Sequence, residues 1–330
     1  MLTILNGRVD DFFYAVGGSQ MDAAVEMAFG GDSVNSSVYQ NAKKFIAGNE
    51  LKHKTFSDIA AESAASQFVI YHGGYRVQLN FLTEEYRMHL NELMKSYLDD
   101  RLGARYRYNA SVAWRPFVGV PVGGDATVGE PVPSTAYTES AYITIPSGTE
   151  FNRASLAGMI REEIANIESN LTIAKNSTLR AGVEANISAD IHSALDKTID
   201  YASGEIINAT LYSIERKTSK VSQFDAMLPG GQGGLDSAVN ESMSLSLSND
   251  TSITTNGSLN ERLVSYIRFI VKADMLLLTQ DEIDALAADM VDRSVAGEDV
   301  DVENTVTSYV LSRVDVRRAR LTLAIWERRV

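Results

Sequence analysis

Residues 105–116 read "RYRYNASVAWRP". Tyr106, Tyr108, Ala110, Val112 and Trp114 alternate with Arg105, Arg107, Asn109, Ser111 and Arg115. Successive side chains of a strand point to opposite faces, so this period of two predicts a strand with one buried and one wet face. Pro116 cannot donate to a ladder, so the strand ends there or lies at an edge.

A Gly/Pro-rich stretch follows, "VGVPVGGDATVGEPVPS" (118–134), and reads as a loop. A second strand is expected over 136–146, with Tyr137, Ala141, Ile143 and Ile145 on one side. Two strands joined this way are expected to be antiparallel neighbours with a long excursion between them. The C-terminus supplies a third strand near 316–329. Ala319, Leu321, Leu323 and Ile325 face one way there, and Arg318, Arg320 and Thr322 the other. Its pairing with one of the first two strands would bring the only two tryptophans, Trp114 and Trp326, into one sheet. Trp326 falls on the arginine side, which calls for a bulge or a covering partner.

Upstream, residues 1–50 look loosely helical, and 57–71 reads as a helix stopped by Gly73-Gly74. "YRVQLNF" (75–81) alternates like a strand. Thr83 then opens a helix whose Tyr86, Leu90, Leu93, Met94 and Tyr97 share a face, and Gly103 ends it. Downstream, Leu156, Ile160, Ile164, Ile167, Leu171 and Ala174 recur at helical spacing. Val183, Ile187, Ile191, Leu195, Ile199, Ile206, Leu211 and Ile214 continue the pattern. This predicts one very long helix, or two folding back near Gly182 or Gly204. Residues 228–258 form an exposed polar insertion by composition. Residues 260–279 are strongly apolar and helical, and Thr279 with Glu282 predicts a capping box opening a further helix. A last helix is expected around 302–313. The fold class is therefore α+β: a small, mostly antiparallel sheet packed by long helices. It divides into a mainly helical region, 1–104, and an α+β domain, 105–330, with long helices over 152–215.

Composition narrows the partners. The 330 residues carry a net charge of −13, which disfavours nucleic acid, because duplex binding needs a basic face. Cysteine is absent, so disulfides, thiolate metal sites and thiol nucleophiles are excluded. No apolar run is long enough to span a bilayer. The start, "MLTILNGRVDDFFYAV", lacks the basic flank and sustained apolar core of a signal peptide. The protein is then either cytoplasmic, or begins after a signal or anchor has been removed.

One pattern exceeds chance. Nine Asn-x-Ser/Thr sites occur, at Asn35, Asn109, Asn170, Asn176, Asn186, Asn208, Asn240, Asn249 and Asn256, none with proline between. Eighteen asparagines and fifty-two Ser plus Thr predict about three by random placement. These are glycosylation candidates on loops and helix faces of an exported chain, with Asn109 on the wet face of its strand. Ser/Thr-rich patches such as 240–258 raise the local odds and account for part of the excess.

No catalytic or metal constellation emerges. His53, His72, His89 and His192 have no ligand spacing. Asp299, Asp301 and Glu303 alternate like a calcium loop, but Asn304 replaces its glycine and Val310 its terminal glutamate, so a solvated helix start is expected. "PGGQGGLD" lacks the Lys-Ser/Thr of a phosphate loop. Tyr71, Tyr75, Tyr86, Tyr97, Tyr106 and Tyr108 are read as core residues with polar tips rather than a sugar-binding face.

With the strands laid out, "SVAWRPFVGVPVGGDATVGEPVPSTAYTESAYITIPSG" (111–148) resembles a family of archaeal membrane-anchored surface proteins. These occur mainly in haloarchaea, encoded beside tight-adherence-like type IV pilus or secretion genes. The shared features are Trp114-Arg115-Pro116, Val128-Gly129 with the following prolines, Ile145-Pro146-Ser147-Gly148, and a last strand ending in Trp326. The resemblance implies a non-enzymatic, extracellular surface or pilus-associated subunit, with no cofactor and no chemistry of its own. Its partners would be other surface or pilus subunits, or further copies of itself. Membrane attachment would run only through an anchor that this chain lacks. The alternatives are an extracytoplasmic ligand-binding or sensory domain, and a secreted hydrolase whose carboxylate pair the sequence does not single out.

Overall fold

The structure is a computed structural model that describes residues 55–72, 75–78, 84–103, 105–145, 151–175, 180–218 and 259–327. Its sheet strands are β1 (Phe68–His72), β2 (Tyr75–Gln78), β3 (Tyr106–Trp114), β4 (Val122–Gly129), β5 (Tyr137–Thr144) and β6 (Arg318–Glu327). All six join one antiparallel sheet in the order β2-β1-β4-β3-β6-β5. Helices α1 (Phe56–Ser66) and α2 (Glu84–Leu102) pack on its inner face. Beyond them lie α3 (Arg153–Met159), α4 (Arg161–Ala174), α5 (Arg180–Thr218), α6 (Leu259–Val295) and α7 (Val302–Arg313). The expected α+β architecture is what forms, and a continuous apolar core runs from sheet to helices.

The opening stretch behaves as its alternation dictates. Tyr108, Ala110, Val112 and Trp114 are buried, and Arg107, Asn109, Ser111 and Ala113 lie half-buried on the outer face. Trp114 packs its ring 5.1 Å from Phe68, and its indole N–H donates to the Val316 carbonyl at 3.2 Å. The donation matters because a buried indole nitrogen left unpaired would be costly.

Four local expectations are corrected. The helix expected over 57–71 stops at Ser66, and Phe68–His72 is a strand. Its aromatic and β-branched side chains find ladder partners in β2 and β4, so tertiary pairing overrides the helical pattern. Thr55 caps α1 reciprocally with Asp58. The loop expected at 118–134 contains β4, with Val122, Gly124, Ala126 and Val128 inward. Glycines and alanine masked that alternation. Gly124 is needed there because a Cβ would stand 1.9 Å from the Ala64 carbonyl oxygen of α1. Third, β3 and β5 are not neighbours: β6 lies between them and pairs with both. The two tryptophan stretches are thus adjacent, with Trp326 directly opposite Arg107. The register runs unbroken from Tyr106 to Trp114, so Trp326 sits half-buried on the outer face without a bulge.

The fourth correction concerns Thr279. It opens no helix, because α6 runs continuously through it. Its hydroxyl is fully buried and donates to the Met275 carbonyl at 2.7 Å, the back-bond of a helix interior.

The apolar stripe from Leu156 to Ala174 and from Val183 to Ile206 is buried as its spacing predicts. The fold-back falls between Ala174 and Arg180, close before Gly182, whereas Gly204 lies inside α5. α5 has 39 residues and α6 has 37, so each is roughly 55–60 Å long. They pack antiparallel: Arg180 pairs with Asp292, Ser188 donates to Asp284 at 2.5 Å, and Lys272 reaches Asp200 at 3.0 Å. Asp301 caps α7 by accepting from the Asn304 amide at 2.9 Å, so the acidic run at 299–303 is the helix start expected. The 228–258 insertion and residues 1–50 lie outside the described residues.

Candidate functional site

The outer face of the sheet is polar and braced. Arg107 pairs with Glu130, and Arg115 with Asp125 at 2.6 Å, each tying β3 to β4 or to its end. Ser140 and Thr322 share a hydrogen bond of 3.0 Å between β5 and β6, and Arg320 donates to Ser140 at 3.2 Å. Two open clefts flank this face, of about 390 and 310 Å³. Lys95, Asp99, Tyr106, Arg107 and Glu130 line the first; Gln67, Arg115, Pro121 and Asp125 are on the second. The charged groups in both are largely engaged with one another.

Of the described tyrosines read as core, Tyr97 and Tyr108 are buried and Tyr106 is a correction, because it stands at the open end of its strand. Tyr97 is buried against Phe56, with ring centroids 5.4 Å apart. Tyr108 is buried and its hydroxyl donates to Asp99 at 2.8 Å, with the Lys95 carbonyl 3.0 Å away. Burial, and then the bond to Asp99, push its phenol well above the ordinary range. Tyr106 is exposed at the strand end. The side chains of Tyr71, Tyr75 and Tyr86 lie outside the described residues.

Among the nine sequons, Asn109 sits on the outer face as its alternation predicts. Its side-chain amide donates to the Glu130 carbonyl at 2.9 Å. An amide nitrogen carries two donors, so a sugar on one is compatible with that bond on the other. Asn170 is half-buried between α4 and α5, 3.4 Å from Asp190, and Asn186 is exposed on α5. Asn208 is also on α5, its side chain outside the described residues. Asn35, Asn176, Asn240, Asn249 and Asn256 fall outside the described residues. The four described sequons lie on a strand and two helices.

Among the described residues, no group of three or more His, Asp or Glu is placed to hold a metal ion. His192 lies on α5 and is half-buried; His53 is outside the described residues, as are the side chains of His72 and His89. Among the buried carboxylates, Glu163 is held by Lys197 at 2.5 Å and Ser193 at 2.9 Å. It fastens α4 to α5.

Two exposed features went unread in the sequence. Strand β5 is one of the two edge strands of the described sheet, β2 being the other, and Tyr137 and Tyr142 on it are 66% and 72% exposed. Its inward alternation was legible, but its edge position was not, because pairing partners lie nearly two hundred residues away. On α6, Leu276, Leu277 and Leu278 are exposed, Leu277 by 84%. Val118 is exposed on the loop whose Gly119 approaches Leu278. Three consecutive leucines cannot all lie on one helix face, a signal that was available at once.

An all-antiparallel sheet packed on its inner face by helices, with an antiparallel pair of long helices, defines the class among the described residues. Over residues 33–165 the chain is similar to a family of unknown function (DUF7284). That span contains the whole 111–148 stretch and reaches from α1 into α4. No curated protein and no solved structure matches the chain.

Proposed function

We propose that this chain is a non-enzymatic, N-glycosylated cell-surface or pilus/secretion-associated structural subunit that works through protein–protein assembly contacts. The observation that carries the reading is the β5 edge. An edge strand presents a row of unpaired backbone groups, and proteins that must stay apart blunt such edges with charges, proline, bulges or a covering segment. Residues 137–144, "YTESAYIT", contain no lysine, no proline and a single charge, Glu139, and their register against β6 is unbroken. The exposed leucines of α6 add an apolar surface of the kind that marks contact sites. The sequon excess and the resemblance of residues 111–148 point to the cell exterior.

Glycopeptide mapping with intact-mass analysis, on protein purified from its own host, tests the reading. Sugar is expected at Asn186, the exposed described sequon, among others. Unmodified asparagine at all nine positions would remove the surface assignment.

A further inference from the structure

The geometry points to a specific partner for the β5 edge: β5 of a second copy of this chain, paired antiparallel about a two-fold axis at Ser140. The inference rests on the assembly reading above. It begins with the direction of the backbone groups. The Ile145 amide donates to the Arg317 carbonyl at 2.8 Å, immediately beyond the pair Thr144 and Arg318. In an antiparallel ladder, hydrogen-bonded and non-hydrogen-bonded pairs alternate. Odd-numbered residues of β5 therefore turn their N–H and C=O toward β6. Thr138, Ser140, Tyr142 and Thr144 turn theirs outward, and all four are exposed.

An antiparallel copy that keeps both outer faces on one side must pair even residues with even residues. This is the set with outward backbone groups. With Ser140 opposite itself, Thr138 meets Tyr142 in both directions, so three residue pairs exchange six backbone hydrogen bonds. The side chains select this register over its neighbours. Glu139 falls opposite Ala141, and Tyr137 opposite Ile143, on the helix side of the sheet. Thr138 and Tyr142 form aromatic–β-branched pairs on the outer side, a favourable cross-strand combination. Centring the pair on Glu139 would oppose two carboxylates. Centring it on Ala141 would set Glu139 against Ile143. The occupant is thus chosen by complementarity of the strand with itself.

The test uses this whole chain and compares four samples by sedimentation velocity: wild type, two variants and the mixture of the two. Wild type should dimerise within the micromolar range. Ser140→Glu should weaken association at least about tenfold, because two carboxylates then meet at the axis. Residue 140 is exposed on the outer face, so circular dichroism and melting should stay as in wild type. Ser140→Lys should also be monomeric, and an equal mixture of the two variants should form heterodimers. A wild type that stays monomeric up to about 100 µM overturns the pairing. So does a dimer indifferent to Ser140→Glu, or a mixture that fails to associate. A monomer that carries sugar on its sequons would overturn this pairing and leave the surface-subunit reading standing.

Discussion

Glu163 shows how a single buried charge is made tolerable. It is 4% exposed in the seam between α4 and α5. Burial pushes its carboxyl up, but hydrogen bonds from Lys197, its own backbone amide and Ser193, together with the Lys197 charge, outweigh this and hold it below the ordinary range. Asp190, in the same seam, moves the other way. Burial, aided by the Glu163 charge, exceeds the donations from Asn166 and Asn170 and leaves its carboxyl raised. The signs of the pH dependence are therefore opposite. A depressed carboxyl adds stability above its unfolded pKa, and that stability is lost as pH falls through the folded value. A raised one adds stability only in acid, lost as pH rises through the folded value. Glu163→Gln should cost about 1–2 kcal/mol at neutral pH, with the gap to wild type closing on acidification below the ordinary carboxylate range. Asp190→Asn should be stabilising at neutral pH, and this gap should also close in acid. Urea unfolding followed by tryptophan emission reads both, since Trp114 leaves a fully buried site.

At the scale of elements, two glycines in opposite settings separate packing from propensity. Gly124 lies in β4 directly under α1, where a Cβ would strike the Ala64 carbonyl. Gly124→Ala must push helix from sheet and should cost about 1–3 kcal/mol. Gly204 is mid-way along α5, and a Cβ there meets nothing within 4 Å. Gly204→Ala should gain up to about 1 kcal/mol, since glycine is the poorer helix former. Thermal unfolding of both against wild type checks the contrast; equal effects would mean that α1 does not rest on β4 as described. Between α5 and α6, the ion pairs of Arg268 and Lys272 with Asp200 are partly exposed and contribute little each. The antiparallel register is held mainly by Ile187, Ile191, Leu195 and Ile199 against Ile267, Ile270, Val271 and Ile283, all buried.

For the whole molecule, the dominant electrostatic fact is the net charge of −13. Self-repulsion of that size opposes the compact state, and salt screens it over roughly 10 Å at 0.1 M. The surface ion pairs are screened too, but each is worth little. The melting temperature should therefore rise with added sodium chloride, as scanning calorimetry would show. A fall would mean that the ion-pair network outweighs the net repulsion. The same acidity means that an encounter between copies is favoured by salt.

The alternation of Tyr106 to Trp114 and the stripes from Leu156 to Ile206 were sufficient to predict a half-wet strand and long packed helices. Both are local periodicities, and burial on one face enforces them wherever the chain ends up. The acidic run at 299–303 was legible as a helix start for the same reason: the capping bond from the Asn304 amide to Asp301 spans only four residues. Strand β4 was hidden because glycine leaves no side chain to mark the pattern. The switch from helix to strand at Phe68, the place of β6 between β3 and β5, and the continuity of α6 through Thr279 were decided only in three dimensions. Each depends on what a distant segment offers: a ladder partner, a free edge, or a buried face. The β5 edge belongs to this second group. Its residues were visible from the start, but that nothing else described in the chain pairs with them is a property of the folded sheet alone.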